Sequence, residues 1–152
     1  MENRKNVEIY TDGACLGNPG DGGIGVILMY KDVQKEISSG YPDTTNNKME
    51  LLAVIEGLKM LKEPCKVSLY TDSSYVVNSI EKGWVYGWQK KGWMRNSKEE
   101  AKNKELWQEL LELLKIHDVS FIWIKGHAGN PFNERCDILA KQGAYSIKSQ
   151  NN

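Results

Sequence analysis

Polar and apolar side chains alternate through Val7-Glu8-Ile9-Tyr10-Thr11 and stop at Asp12-Gly13, the pattern of a half-buried strand closing on a turn signal. The glycine-rich run from Gly13 to Gly23 predicts a turn with no regular element in it. β-Branched and apolar residues predict a second strand over Ile24 to Tyr30 and a third over Val33 to Ser39, closed by Gly40. The period then changes. Leu51, Val54, Ile55, Leu58 and Leu61 form one stripe at helical spacing, which predicts a helix over Asn47 to Leu61, stopped by Glu63-Pro64. A fourth strand follows over Lys66 to Ser73, then a short helix over Ser73 to Ile80. Glu105 to Lys115 is amphipathic, with Leu106, Trp107, Leu110, Leu111 and Leu114 inward. Val119 to Lys125 reads as the last strand, Gly126 to Phe132 as a loop, and Asn133 to Ala144 as the final helix. The polar stretch Ser146 to Asn152 predicts a frayed tail.

Three strands, a helix, a strand, three helices, a strand and a helix predict an α/β fold. Its sheet is mixed and five-stranded, an antiparallel meander plus parallel strands, with helices on both faces. The length of 152 residues suits one domain with its core over about 7–144, large enough to bury roughly 68–70% of its unfolded surface. Hydrophobic content of 40% with 26% charged residues excludes the disordered and fibrous classes. No apolar run reaches membrane-spanning length and none follows Met1 as a leader, so the expectation is a cytoplasmic monomer with no membrane contact. Cys15, Cys65 and Cys136 are odd in number and lack metal-ligand spacing; they read as reduced core thiols.

The formal net charge is zero, but it is unevenly spread. Lys82 to Lys104 carries Trp84, Trp88 and Trp93 among Lys82, Lys90, Lys91, Arg95, Lys98, Lys102 and Lys104, against Glu99 and Glu100. Phosphate binding depends on such local charge, although tryptophans at i,i+4 also suit a core. Tyr10-Thr11-Asp12 and Tyr70-Thr71-Asp72 close the first and fourth strands alike. Parallel neighbours lie ~5 Å apart, so both carboxylates would emerge at the sheet edge where α/β proteins bind ligands. They repel each other unless a proton or a cation sits between them, and a divalent metal suits an open polar site. Turn formation and helix capping are the ordinary alternatives for each aspartate. Asn47-x-x-Glu50 resembles a capping pair, and Asp137 suits the dipole of the last helix. Gly20, Gly22 and Gly25 satisfy G-x-G-x-x-G, but a strand follows where a dinucleotide site needs a helix.

Four segments carry a resemblance: Thr11-Asp12-Gly13-Ala14-Cys15-Leu16-Gly17-Asn18-Pro19-Gly20, Thr44-Thr45-Asn46-Asn47-Lys48-Met49-Glu50, Tyr70-Thr71-Asp72-Ser73, and Lys125-Gly126-His127-Ala128-Gly129-Asn130 running into Asn133-Glu134-Arg135-Cys136-Asp137. In this order they resemble type 1 ribonuclease H of bacteria, from about Val7 to Ala144. The resemblance implies the ribonuclease H fold and an endonuclease cutting the RNA strand of RNA–DNA hybrids. It further implies catalytic, metal-binding carboxylates at Asp12, Glu50, Asp72 and Asp137, with His127 as an accessory loop histidine.

In the family pattern Asp12 bridges two Mg²⁺ ions, Asp137 helps hold the water-activating one, and Glu50 and Asp72 hold the other, with Mn²⁺ as a substitute. Two ions about 3.5–4 Å apart activate water, relieve phosphoryl charge and stabilise the leaving alkoxide, giving 5′-phosphate and 3′-hydroxyl ends. The resemblance also implies RNA minor-groove contacts at Cys15, Gly17, Asn18, Asn46, Asn47 and Glu50, and a DNA-phosphate pocket at Thr45 and Asn103. Tyr75, Trp84 and Trp88 match a surface along the DNA sugars, and Lys90, Lys91 and Arg95 belong to a basic protrusion over about 82–104. Two positions depart from the family: Asp43 replaces a phosphate-pocket arginine, and Ser74 stands where a longer side chain often contacts RNA. A non-catalytic hybrid-binding module, or a nuclease of the same fold with another substrate, are the alternatives; clustered acids alone would also fit a two-carboxylate glycosidase.

Overall fold

A computed structural model of the chain describes residues 4–96, 101–126 and 128–150. The elements in chain order are β1 (Lys5–Leu16), β2 (Gly20–Tyr30), β3 (Val33–Thr44), α1 (Asn46–Lys59), β4 (Cys65–Thr71), α2 (Ser74–Glu81), α3 (Trp84–Lys90), α4 (Lys104–Ile116), β5 (Asp118–Trp123) and α5 (Pro131–Gln150). Among the described residues the strands form one sheet in the order β3-β2-β1-β4-β5. β1 and β2, and β2 and β3, are antiparallel. β4 runs parallel to both β1 and β5. The expected mixed sheet is therefore present, built by a meander and two helical crossovers.

Alternation along β1 decides the two cores. Val7 and Ile9 face α1 and α4, where Val26, Leu51, Val54, Ile55, Leu58, Trp107 and Leu110 complete the larger cluster. Tyr10 faces the other way, onto Ile27, Cys136 and Leu139 beneath α5. Each buried aliphatic side chain contributes about 1.5–3 kcal/mol relative to exposure. Cys65 and Cys136 are buried free thiols and Cys15 is a half-buried one, its Sγ donating to the carbonyls of Gly20 and Thr44.

The glycine-rich run departs from expectation. β1 continues through Asp12-Gly13 to Leu16 and β2 begins at Gly20, so only a tight reversal at Gly17 to Pro19 separates them. Gly17 and Gly20 form that reversal, while Gly13, Gly23 and, just beyond the run, Gly25 serve close packing of strand against helix. A side chain at Gly13 would strike the backbone of Met49 and Glu50 in α1, and one at Gly25 would strike the Cys136 carbonyl in α5. Gly40 likewise does not end β3, which runs on to Thr44. The expected frayed tail is helical to Gln150, with Ile147 packed beside Gly40. None of the described helices is long and apolar enough to cross a membrane.

Candidate active site

Asp12 lies inside β1, opposite Gly25 of β2. The parallel register sets Thr11 against Thr71, so Asp72, the first residue beyond β4, comes level with Asp12. Glu50 arrives from α1. That helix is capped by Thr45, whose Oγ1 accepts a hydrogen bond from the Lys48 N–H at 3.3 Å, so Asn47 and Glu50 do not form the expected capping pair. Gly13 lets the first turn of α1 settle onto β1, and Glu50 thereby points into the site instead of out to solvent.

Ligand atoms of Asp12, Glu50 and Asp72 all lie within 4.8 Å of one another. Asp12 is 4% exposed, Glu50 is 6% exposed and Asp72 is half-buried. Burial foremost, then the charge of Asp72, pushes the Asp12 carboxyl up to about 8. Burial first, then the charges of Asp12 and Asp72, hold Glu50 well above the usual carboxylate range. Gly13 N–H donates to Asp12 Oδ1 at 3.0 Å. Glu50 Oε2 is buried with no hydrogen-bond partner. An orphaned carboxylate oxygen in a crowded, all-oxygen donor set fits a hard divalent cation, which would relieve the repulsion that protonation otherwise relieves.

Asp137 of α5 stands outside that group of three. Its Oδ2 pairs with Lys141 Nζ at 2.9 Å, one helical turn on, though its charge still reaches Asp12. His127 lies outside the described residues; a side chain added at its neighbour Gly126 would sit 2.9 Å from Asp72 Oδ2.

A cleft of about 630 Å³ is lined by Asn18, Thr45, Asn46, Asn47, Tyr75 and Asn103 together with Lys48 and Lys102. It thus collects six residues that the motifs singled out from five separate elements and loops. Asn18 Oδ1 accepts from the Asn46 N–H at 3.1 Å, tying the β1–β2 turn to α1. Tyr75 hydroxyl accepts from Asn103 Nδ2 at 3.1 Å and from Trp107 Nε1 at 2.8 Å. Cys15 and Gly17 flank the same turn, Gly17 at φ 101°. Asp43 is exposed on a smaller neighbouring cleft that also holds Lys48 and Asn103.

Trp84 and Trp88 behave differently. Trp84 is 44% exposed with Lys82 Nζ 5.5 Å from its ring centre. Trp88 packs edge-on against the buried Trp107 at 6.4 Å, so it supports α3 from beneath rather than offering a face. Lys90, Lys91 and Arg95 are exposed at and beyond the end of α3, while Trp93 is buried. Trp123 and Lys141 reach these sites without any sequence expectation, whereas Lys102 belongs to the basic segment and Lys48 to the Thr44–Glu50 motif. Only Lys141, at i+4 from Asp137, carried a readable signal, since that spacing pairs opposite charges on a helix.

Carboxylates from two adjacent parallel strands and a crossover helix, at the edge of a sheet ordered β3-β2-β1-β4-β5, form a candidate metal site on a ribonuclease H-like scaffold. The sequence model of the RNase H family matches residues 4–145. The chain is 61% identical over 142 residues to the ribonuclease H of Desulforamulus reducens, covering 93% of this chain and 89% of that protein. It is 59% identical over 136 residues to that of Acetivibrio thermocellus, covering 90% and 92%. The crystal structure of LC9-RNase H1, a type 1 RNase H with the type 2 active-site motif, superposes with a TM-score of 0.87 at 33% identity, over 96% of this chain and 75% of that one. LC11-RNase H1 in complex with an RNA/DNA hybrid shares the fold at a TM-score of 0.72 and 24% identity, covering 93% of this chain and 98% of that one. The chain belongs to the ribonuclease H family.

Proposed function

We propose that the chain is an endonuclease that hydrolyses the RNA strand of RNA–DNA hybrids, with divalent ions held by Asp12, Glu50, Asp72 and Asp137. The observation that carries this reading is the meeting of Asp12, Glu50 and Asp72 within 4.8 Å, with one buried oxygen left unpartnered. When bound, two Mg²⁺ ions, or Mn²⁺ in their place, supply an activated water and charge relief at the attacking and leaving oxygens.

The chain's own residues prepare that chemistry. Asp12, Glu50 and Asp72 would hold the metal through their carboxylates, with Asp137, now paired with Lys141 at 2.9 Å, adding a fourth. His127, set between Gly126 and Gly129 in the sequence, moves a proton near the attacking water or the product. Asn18, Asn46 and Asn47 present short amides, which both donate and accept and so suit a 2′-hydroxyl; the backbone around Cys15 and Gly17 borders the same groove. Thr45 and Asn103 hold a phosphate of the DNA strand, with Lys48 and Lys102 supplying positive charge. Tyr75 and Trp84 lie along the DNA sugars, and Lys90, Lys91 and Arg95 extend the basic surface. Products carry 5′-phosphate and 3′-hydroxyl ends. We further read the chain as a single domain, monomeric and cytoplasmic.

Labelled hybrid, duplex RNA and duplex DNA incubated with and without Mg²⁺ test the proposal. Cleavage confined to the RNA of the hybrid, and to samples with metal, is expected. Binding of hybrid without any metal-dependent cleavage would show a non-catalytic module instead.

A further inference from the structure

Asp12 is fixed inside a strand paired on both sides, and Glu50 is fixed within a helix. Asp72 has neither support. It lies in the two-residue link between the end of β4 at Thr71 and the start of α2 at Ser74. It is also the most open of the three. Beyond the Ser73 N–H bond to Thr71 Oγ1 at 3.1 Å within that link, its support comes from outside.

The end of β5 supplies it. Trp123 pairs with Thr71 in the ladder, and the Ile124 N–H donates to the Thr71 carbonyl at 2.9 Å. Trp123 is 52% exposed, yet its indole Nε1 donates to the Asp72 backbone carbonyl at 3.3 Å. An exposed indole satisfies its N–H with water, so burial does not force this contact. Three residues on, the chain crosses the carboxylate itself. A methyl group at Gly126 would sit 2.9 Å from Asp72 Oδ2, so a larger residue there requires that carboxylate to swing aside.

We propose that Trp123 is a positioning residue: its indole, with the bare backbone of Gly126, clasps Asp72 from two sides and sets the affinity of the site for divalent metal. This inference rests on Asp72 being a metal ligand. Groups that orient a ligand from behind set metal affinity by about 10–100-fold when removed. The clasp acts without touching metal or substrate.

The test is Mn²⁺ titration by calorimetry of the full chain without nucleic acid, comparing the parent protein with Trp123→Phe, which keeps a ring and loses the donor. Tyr86→Phe, another exposed aromatic, serves as control. Trp123→Phe is expected to weaken Mn²⁺ binding by about tenfold, with the metal-free thermal midpoint within about 3 °C of the parent, while Tyr86→Phe changes neither. A Trp123→Phe protein that binds Mn²⁺ as tightly as the parent overturns the inference. A parent protein that binds no Mn²⁺ takes the metal-site reading down with it. Should Trp123→Phe not fold, the indole N–H resonance of Trp123 in the parent decides: it must shift on addition of Mg²⁺, and an unmoved resonance overturns the clasp.

Discussion

Burial raises the Asp12 and Glu50 carboxyls above the usual carboxylate range, with the charge of Asp72 adding to Asp12 and those of Asp12 and Asp72 to Glu50, the reverse of the salt-bridged acids that usually stabilise folded proteins. Their folded-state values lie above the unfolded ones near ~4, so the folded chain binds more protons than the unfolded chain between them. The stability they contribute is fully present below about 4 and is lost as pH rises through about 8. Metal-free protein should therefore melt at a lower temperature at pH 8.5 than at pH 5.5, and Mg²⁺ should restore the loss only at the higher pH; melting curves in chelator and in metal check this. Asp12→Asn removes one member of the crowd. It should abolish metal-dependent cleavage and yet stabilise the metal-free protein at pH 8.5 by on the order of 1–3 kcal/mol, read by denaturant titration. His127→Ala should lower turnover by about 10²-fold without abolishing it; equal losses in His127→Ala and Asp12→Asn would remove the distinction between proton carrier and ligand. At this scale the motif residues were legible in the sequence. Their protonation was not, because it depends on the burial and close approach of residues far apart in the chain.

Helix α5 lies across β1, β2 and β3 with its backbone almost touching theirs, at Gly25 below Cys136 and Gly40 below Gly143. Gly25→Ala should destabilise the fold by on the order of 3 kcal/mol, with α5 and Asp137 displaced, measurable as an earlier unfolding midpoint and a weaker response to metal. The sequence pattern misread this element for a physical reason. Glycine has the same composition signature in a turn as in a strand pressed against a helix, and only the facing element distinguishes them. The basic segment shows the opposite case. Its charge was readable and so was the core role of Trp107, but α3 alone decides which tryptophan faces out. Replacing Lys90, Lys91 and Arg95 together by alanine should raise KM for hybrid and flatten its dependence on salt, by about one unit of slope for each phosphate no longer neutralised; an unchanged slope would remove this surface from the binding site.

Across the whole molecule the charges cancel, so long-range attraction gives little help and affinity rests on local patches. Asp43 works against one of them, exposed in a cleft with Lys48 and Asn103 where we propose a phosphate binds. Asp43→Arg should lower KM for hybrid at least about twofold at low salt, an advantage that disappears as salt screens it. Order and type of elements, the parallel pairing behind Asp12 and Asp72, and the candidate ligands of the site were determined by the sequence alone. Those follow from periodicity and from short motifs, which are local properties of a chain. Tertiary structure alone decided that β1 runs on past Asp12, that Glu50 turns inward, and that Trp123 reaches back to Asp72. Each of these is settled by which backbone lies against which, and no window along the chain contains both partners of the strand-to-helix contacts or of the Trp123–Asp72 hydrogen bond.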